Sequence, residues 1–419
     1  MRAGIDSRRL AAVLIANGML RVASAADGAL VGFYLAHLAV QGRPVGAALV
    51  GALGVMANAA ELAGAVPIGA LTDRYSPRGL LVLGALLGAV ATQLFGISGV
   101  VAIFFVSRAM EGLSAATSGP PLLVHLSDVT RLDPPARGRV MSFFELTLLA
   151  GVALGGLTSG TLWDGIQTSA FSALAGVYLL VAALFYWGVR VARPMDAPVT
   201  RPMAGLRRAF TDPLLRRLAP AWLAVNAILG LWLTHTAFQL TGPKVAGQYL
   251  VGGFTASEVG LILLGYAMVF ATGVTAWGFI LAYVPRVRAL RIALIAMFFA
   301  CLWLFLLNSA AGWSAPARAV VLVLAGLSVM VESGFTPAAL AFLADVADQG
   351  EGRGAAMGVY TLLLGLGNAF GAGLGGVLAG WMAFNGLLLG TVGLAVMALA
   401  ALMLLPGVPL TRPSNLSTR

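Results

Sequence analysis

The sequence predicts an all-α membrane protein with twelve transmembrane helices in two pseudo-symmetric six-helix halves. Composition, the number of apolar runs and an internal repeat carry this prediction. Of the 419 residues, 59% are hydrophobic and 10% are charged, and the mean hydropathy is +0.92. A chain of this composition is too apolar for a water-soluble globule, so lipid is its expected solvent.

Twelve apolar runs reach the length of roughly 20 residues that a helix needs to cross the hydrocarbon core. The split between the third and fourth runs rests on the short segment Gly96 to Gly99 alone. We number the runs spans 1 to 12, with approximate bounds 10–38, 46–71, 79–98, 100–126, 139–162, 169–190, 218–240, 256–283, 289–310, 317–344, 355–381 and 383–405.

Two segments about 216 residues apart repeat one pattern. Residues 120–160 contain PPLLVHLSDV, RGRVMSFF and AGVALGGLTSG, and residues 337–376 contain PAALAFLADV, RGAAMGVY and LGNAFGAGLGG. Duplicated membrane halves with a site at their interface are typical of secondary transporters. The repeat therefore predicts a six-helix bundle over 1–190, a cytoplasmic linker over 191–217 and a second bundle over 218–419.

Basic residues are distributed unevenly between the two sides of the predicted membrane. Of the 26 Lys and Arg residues, only Arg43, Lys244 and Arg318 fall in segments on the outer side, and Arg21 and Arg108 fall within spans. The positive-inside rule then places both termini in the cytoplasm, as expected for a multi-pass protein of an inner membrane. This distribution accounts for the formal net charge of +10 without a nucleic-acid partner.

The N-terminus resembles a secretion signal, with Arg8-Arg9, an apolar stretch and Ala23-Ser24-Ala25. Arg21 interrupts the apolar core and the apolar run continues to Val40, so we expect an uncleaved first helix. In the linker, Leu206, Phe210 and Leu214 recur at every fourth position among arginines. This spacing predicts a short amphipathic helix that tethers the halves at the membrane surface.

Glycines at intervals of about four residues mark spans 5 and 11. They are Gly151, Gly155 and Gly160 in the first and Gly367, Gly371 and Gly375-Gly376 in the second. Bare backbone on one face predicts close helix packing, either static or sliding during a conformational cycle.

A motif between spans 2 and 3, Gly69-Ala-Leu-Thr-Asp73-Arg74-Tyr-Ser-Pro-Arg78-Gly79, resembles the signature loop of the major facilitator superfamily. Ser76 and Pro77 depart from the family pattern. Span 4 adds Arg108-Ala-Met-Glu111-Gly112, which is similar to a second family pattern. Span 5 resembles the glycine-rich pattern of the family's exporters, with Gly156 in place of its proline. The resemblance covers the whole chain.

The resemblance implies a cytoplasmic gate. Asp73 would face the N-terminus of the span 11 helix, and Arg74 or Arg78 would pair with Asp128 at the end of span 4. Such contacts would latch the outward-open state, whereas the alternative is a loop of ordinary solvated charges. The gate residues are Gly69, Asp73, Arg74, Arg78, Asp128 and Arg137.

Ionisable residues inside the predicted spans are costly, at roughly 2–3 kcal/mol each, and indicate partners or an aqueous cavity. A carboxylate beside an arginine is a candidate for proton coupling, and we rank Asp27 first because helix 1 lines the central cavity in proteins that this chain resembles. The alternative is a structural role as ion partners of Arg21 and Arg108. Glu145 is expected to be structural, and the candidate proton-coupling and cavity residues are Asp27, Glu61, Arg108, Glu111, Glu332, Arg21, Asn58, Asn226, Trp232, His235, Gln239, Tyr266 and Asn368.

These features predict a secondary transporter that moves a small organic solute by alternating access, with protons as the coupling ion and export favoured by the span 5 pattern. The alternatives are a metabolite importer or uniporter, or a non-transporting receptor or pigment-assembly factor on the same scaffold. The chain carries no phosphate-binding loop or nucleophile elbow, so we expect no enzyme activity and no cofactor. His37, His125 and His235 lack metal-ligand spacing, and a monomer is expected.

Overall fold

The computed structural model describes residues 7–72, 75–130, 134–189, 213–348 and 353–403, and the secondary structure within these ranges is helical. Every predicted span corresponds to a helix, and span 10 is broken into two. The helices are α1 (Ser7–Val40), α2 (Ala47–Thr72), α3 (Pro77–Ile97), α4 (Val101–Val129), α5 (Pro134–Ile166), α6 (Ser169–Gly188), α7 (Pro213–Thr241), α8 (Ala256–Ile280), α9 (Arg286–Asn308), α10 (Ala315–Glu332), α11 (Phe335–Asp348), α12 (Arg353–Met382) and α13 (Phe384–Met403).

Ten segments of the described chain are long and apolar enough to cross a membrane, with α10 and α11 counted as one. The other two helices, α4 and α5, carry more polar residues; α4 alone contains Arg108, Glu111, His125 and Asp128. The expected break between spans 3 and 4 is confirmed, because α3 ends at Ile97 and α4 begins at Val101.

The helices form two bundles that meet along one interface. In the first, α1 packs against α5 and α6, and α3 packs against α4 and α6, around a core that includes Tyr178 and Phe185. In the second, α7 packs against α12 and α13, and α9 packs against α10 and α13, around Trp222 and Trp277. The predicted two-bundle architecture is therefore present.

We call the end of the bundles at which α1 begins the N-terminal end, and the opposite end the far end. Across the interface, α2 packs against α12, α5 against α8, and α1 against α7. The closest of these approaches lie toward the far end. A Cβ on Gly51 would lie 2.7 Å from the carbonyl oxygen of Ala372, and a Cβ on Gly32 would lie 2.7 Å from the Cβ of Ala237.

The glycine faces do bring helices into close contact, as predicted. Gly155 packs on Ala25 and Ala26 of α1, and Gly160 packs on Ala256 of α8, so the α5 glycines serve both a contact within the first half and a contact between halves. In α12, Gly371 packs on Ala227 of α7. Packing of this kind needs positions without a side chain.

The predicted amphipathic linker helix lies outside the described residues, apart from its last position. Helix α7 begins at Pro213, so Leu214 belongs to α7 in this structure.

Candidate functional site

The first half encloses a cluster of polar and charged side chains from four helices. Asp27 of α1 interacts with Thr92 of α3 and with Arg108 and Glu111 of α4, and Tyr178 of α6 lies within electrostatic reach of the same charges. Asp27 is 2% exposed, and Thr92 and Tyr178 are also buried. Five polar side chains therefore meet inside the bundle. Asp27, Arg108 and Glu111 were predicted site residues, and Thr92 and Tyr178 were not.

Local sequence features position this cluster. Arg108 and Glu111 are three residues apart on α4, so they share a helix face, and they form an ion pair. Ser107 donates a hydrogen bond of 2.7 Å to the carbonyl of Ala91, which fixes α4 against α3. Gly88 leaves room for the Tyr178 ring, because a Cβ there would lie 2.6 Å from it.

The cluster holds two carboxylates and one guanidinium. Arg108 is engaged by Glu111, and the Oδ1 atom of Asp27 has no hydrogen-bond partner within the described part of the chain. An excess negative charge in an apolar bundle is costly, and a proton held between two neighbouring carboxylates removes that cost. Protonation of one of the two carboxylates would balance the charge of this group.

Asp27 does not face the interface between the halves. Helix α1 presents Gly32 to α7, whereas Asp27 lies on the face of Ala23, Leu30 and Tyr34, which is buried against α3 and α6. We ranked Asp27 first because helix 1 lines the central cavity in proteins that this chain resembles. That reason does not apply to the face of α1 on which Asp27 lies. The structure places it inside the first bundle.

Aromatic rings cover the cluster toward the far end. The Tyr34 ring lies 6.0 Å from those of Phe95 and Phe104 and 5.7 Å from that of Phe171, measured between centroids. The Tyr34 hydroxyl donates a hydrogen bond of 3.0 Å to the carbonyl of Ser98. This packing separates Asp27 from the far end of the bundle.

Glu61 and Arg21 lie beside the cluster. Glu61 of α2 is within electrostatic reach of Arg21 on α1 and of Glu111 on α4. Gly112 allows this proximity, since it packs directly on the α2 backbone at Ala57 and Glu61. Asn58 donates its amide to the Gly54 carbonyl within α2 at 2.8 Å and does not join the cluster.

Most polar candidates of the second half are engaged in packing within it. His235 Nε2 lies 3.0 Å from the carbonyl oxygen of Ala372, Trp232 Nε1 donates to Thr391 Oγ1 at 2.9 Å, and Asn226 donates to the Trp222 carbonyl at 2.8 Å. Gln239 is buried, and Asn368 lies against Gly230. His235 and Trp232 join α7 to α12 and α13, whereas the Asn226 hydrogen bond lies within α7.

Glu332 and Tyr266 form a separate pair in the second half. Glu332 is the last residue of α10, at the break in span 10, and it lies within electrostatic reach of Tyr266 on α8 and of Cys301 on α9. The candidate residues thus fall into two groups, one in each half.

A polar contact joins the halves at the far end. Asp164, near the end of α5, accepts a hydrogen bond of 2.8 Å from the backbone N–H of Ser257 in the first turn of α8. A carboxylate at a helix N-terminus is stabilised by the unpaired N–H groups and the helix dipole. The adjacent capping box of Thr255 and Glu258, predicted from their spacing, is confirmed.

Sequence reasoning missed Thr92, Tyr178 and Asp164. Thr92 and Tyr178 sit in apolar spans without a charge pattern, and only the fold brings them to Asp27. Asp164 follows Trp163 at the end of a span, where an acidic residue is ordinary. The helix that it meets, α8, lies about 90 residues farther along the chain.

Part of the predicted cytoplasmic gate lies outside the described residues, namely Asp73, Arg74 and the side chain of Arg137, as does the side chain of Glu145. Gly69 lies in α2, and Asp128 is exposed near the end of α4. The Arg78 guanidinium lies 3.6 Å from the centroid of the Tyr186 ring. Its pairing with Asp128 stays a prediction for the state in which this end is closed.

Comparison with known proteins agrees with this architecture. The family model described as Major Facilitator Superfamily matches residues 18–254 and 228–419. Multidrug resistance protein 1 of Bacillus subtilis (strain 168) is 26% identical over 314 residues, which cover 74% of this chain and 75% of that protein.

Solved structures share the fold at low identity. A nucleoside transporter, NupG, aligns with a TM-score of 0.73 at 12% identity over 94% of this chain and 97% of its own. A bacterial homolog of the human lysosomal transporter Spinster, in an inward-facing and unoccupied conformation, aligns with a TM-score of 0.69 at 15% identity over 94% of each chain. The family match spans nearly the whole sequence, and the chain therefore belongs to the major facilitator superfamily of membrane transporters.

Proposed function

We propose that this protein is a proton-coupled exporter of a small organic solute in an inner membrane, with both termini in the cytoplasm. The single observation that carries the proposal is the group formed by buried Asp27 and partly buried Arg108 and Glu111, with two carboxylates beside one guanidinium. Similarity to a multidrug resistance protein supports export of an organic compound.

The coupling role follows from the charge balance. When Arg108 is paired with Glu111, Asp27 is the carboxylate left over, and protonation removes its charge from the bundle. A movement of α4 that separates Arg108 from Glu111 would change which carboxylate is stabilised and release the proton. Substrate binding and proton binding would then be linked through α4, because each favours a different arrangement of the same helices.

The contacts between halves support an alternating-access cycle. With the termini in the cytoplasm, the far end is the outer end, and the described contacts at Gly51 and Asp164 close it. Helices α4 and α11 pack against helices of their own halves. We take this arrangement as an inward-facing state, from which the outer contacts would have to break to release substrate.

Transport by the purified protein in proteoliposomes tests the proposal. Ethidium is a suitable first probe, because its fixed charge prevents accumulation by simple pH trapping. We expect an acidic lumen to drive ethidium uptake against its gradient, as exchange for protons requires, and nigericin to abolish it. Uptake driven only by an alkaline lumen would indicate a symporter, and gradient-independent equilibration would indicate a uniporter.

A receptor or assembly factor would bind ligand without flux. If ethidium is not moved, thermal stabilisation across a panel of metabolites and drugs identifies a ligand for the same assay. Binding of that ligand with no flux in either gradient would refute the transporter proposal.

A further inference from the structure

Span 10 is interrupted by a short break near its middle. Helix α10 ends at Glu332 and α11 begins at Phe335. Trp277 of α8 fixes the break, since its Nε1 donates a hydrogen bond of 2.9 Å to the Val331 carbonyl and its ring packs against Gly334. A break held by side chains from a neighbouring helix presents Glu332 in a defined position.

Glu332 points away from the lipid-facing side of its helix. Val320, Val323 and Leu327 are 55–60% exposed apolar residues on α10. At about 100° per residue, Glu332 lies roughly 120–180° around the helix from them. It shares a face instead with Ala325, which is 4% exposed, so its side chain lies on the interior side of the span.

Tyr266 lies on the side of α8 that faces α10, about 20° around the helix from Gly273, which packs on Met330 and Ser333. The most exposed apolar residues of α8, Leu261, Met268 and Phe279, lie about 140–160° from Tyr266, whereas the less exposed Ile262 and Ile280 lie about 40° from it. Tyr266 is 43% exposed, so its ring is not fully covered by the described protein. The Phe270 ring lies 5.8 Å from the Tyr266 ring between centroids, at an interplanar angle of 30°.

The Glu332 carboxylate has no partner among the described residues. No hydrogen bond or ion pair from the described part of the chain reaches its carboxylate, whereas Glu111 is paired with Arg108. Such a carboxylate is neutral when protonated, and its ionised form needs a positive charge nearby, which a bound cation can supply. The described residues contain no group of three metal-ligating side chains, so a bare metal ion would lack ligands here.

We propose that Glu332, Tyr266 and Phe270 form a subsite in the second half that binds an organic cation, such as an alkylated or arylated ammonium or phosphonium group. The carboxylate supplies the counter-charge, and the two aromatic faces attract a diffuse cation that gives up its water easily. This inference rests on the proposed transport function and names its substrate class. It also separates substrate recognition in the second half from proton binding in the first.

Binding to the full-length protein in nanodiscs tests the subsite. The probes are tetraphenylphosphonium and tetraphenylborate, which have the same shape and opposite charge. We expect the cation to bind the native protein, and Glu332→Gln and Tyr266→Ala each to weaken it by about tenfold, which corresponds to about 1.4 kcal/mol. The anion should bind more weakly than the cation, and Glu332→Gln should reduce that difference.

Matched variants separate recognition from folding. Glu258→Gln changes the same residue type in the same half but keeps its capping box, and Tyr283→Ala removes a tyrosine that is 85% exposed in a loop. Both should bind the cation normally. If Glu332→Gln does not fold, Tyr266→Ala and the conservative Tyr266→Phe, which should retain binding, still test the site.

The proposal is overturned if Glu332→Gln and Tyr266→Ala bind the cation as the native protein does, or if Glu61→Gln alone removes binding. Because the readout is binding, its result is independent of flux. A protein that binds the cation through Glu332 but moves nothing would retain the subsite and refute the transport function. A protein that transports the cation but binds it equally well without Glu332 would retain the transport function and refute the subsite.

Discussion

Replacing Asp164 with Asn should open the far end of the transporter. The Asp164 carboxylate accepts a hydrogen bond from Ser257 N–H across the interface, at the N-terminus of α8. Asn keeps an acceptor oxygen but loses the charge. A charge at a helix N-terminus contributes roughly 0.3–1 kcal/mol, and up to about 2 kcal/mol when partly buried. At about 1 kcal/mol, the ratio of far-end-open to far-end-closed molecules rises about fivefold.

Spin-label distances measure this shift. Labels at Thr168 and Gly312, which are exposed at the far end in opposite halves, report the separation there once the native Cys301 is replaced by Ser. We expect Asp164→Asn to enrich the longer distance. Ser257→Ala is the comparison variant: it leaves the donating backbone N–H and removes only the longer hydrogen bond, 3.4 Å, from the Ser257 hydroxyl to the Gly160 carbonyl, so it should shift the distances less than Asp164→Asn does.

A distance distribution unchanged by Asp164→Asn would refute the reasoning that this contact stabilises closure. An equal shift in Ser257→Ala, which loses only the hydroxyl contact to Gly160, would contradict the claim that the carboxylate at the helix terminus is the stronger of the two contacts.

Three further predictions concern topology, packing and the opposite gate. Cysteine at Ala204, with Cys301 replaced, should resist membrane-impermeant thiol reagents in intact cells, and rapid labelling would reverse the orientation. Gly112→Ala should destabilise the protein by about 1–3 kcal/mol and lower its melting temperature, because the new Cβ would collide with the Ala57 carbonyl. Gly176→Ala is the control and should leave the melting temperature unchanged, because its Cβ would meet nothing within 4 Å. Asp73→Asn should favour the inward-facing state by about 1–2 kcal/mol and slow turnover, while substrate binding survives. Unchanged turnover together with unchanged accessibility of the cytoplasmic side would show that the charges of this loop are ordinary solvated charges without a gating role.

The sequence predicted the membrane fold because its determinants are local or repeated. Each apolar run depends on nearby residues, the similarity of PPLLVHLSDV to PAALAFLADV is visible by comparing two segments, and every span has its helix. The break in span 10 escaped this reasoning. Ser333 and Gly334 are compatible with a continuous helix, and the break is fixed by Trp277, which lies more than 50 residues earlier.

The charged cluster was predicted in part. The i, i+3 spacing of Arg108 and Glu111 is visible in the sequence, and so is the cost of Asp27 in an apolar span. Which face of α1 carries Asp27, and whether that face meets α7 or α3, depends on helix rotation within the bundle. Tertiary packing decides that rotation. The family resemblance, which places helix 1 at the central cavity, therefore led us to expect Asp27 there.

The most direct test of the account is uphill transport by Asp27→Asn protein in proteoliposomes with an acidic lumen. Glu258→Gln serves as the control, since it changes a capping carboxylate outside the cluster. The account predicts that Asp27→Asn lets ethidium equilibrate across the membrane but abolishes its accumulation, because the surplus carboxylate that binds the proton is gone. Accumulation equal to that of the native protein, with unchanged pH dependence, would contradict the claim that this buried cluster couples transport to protons.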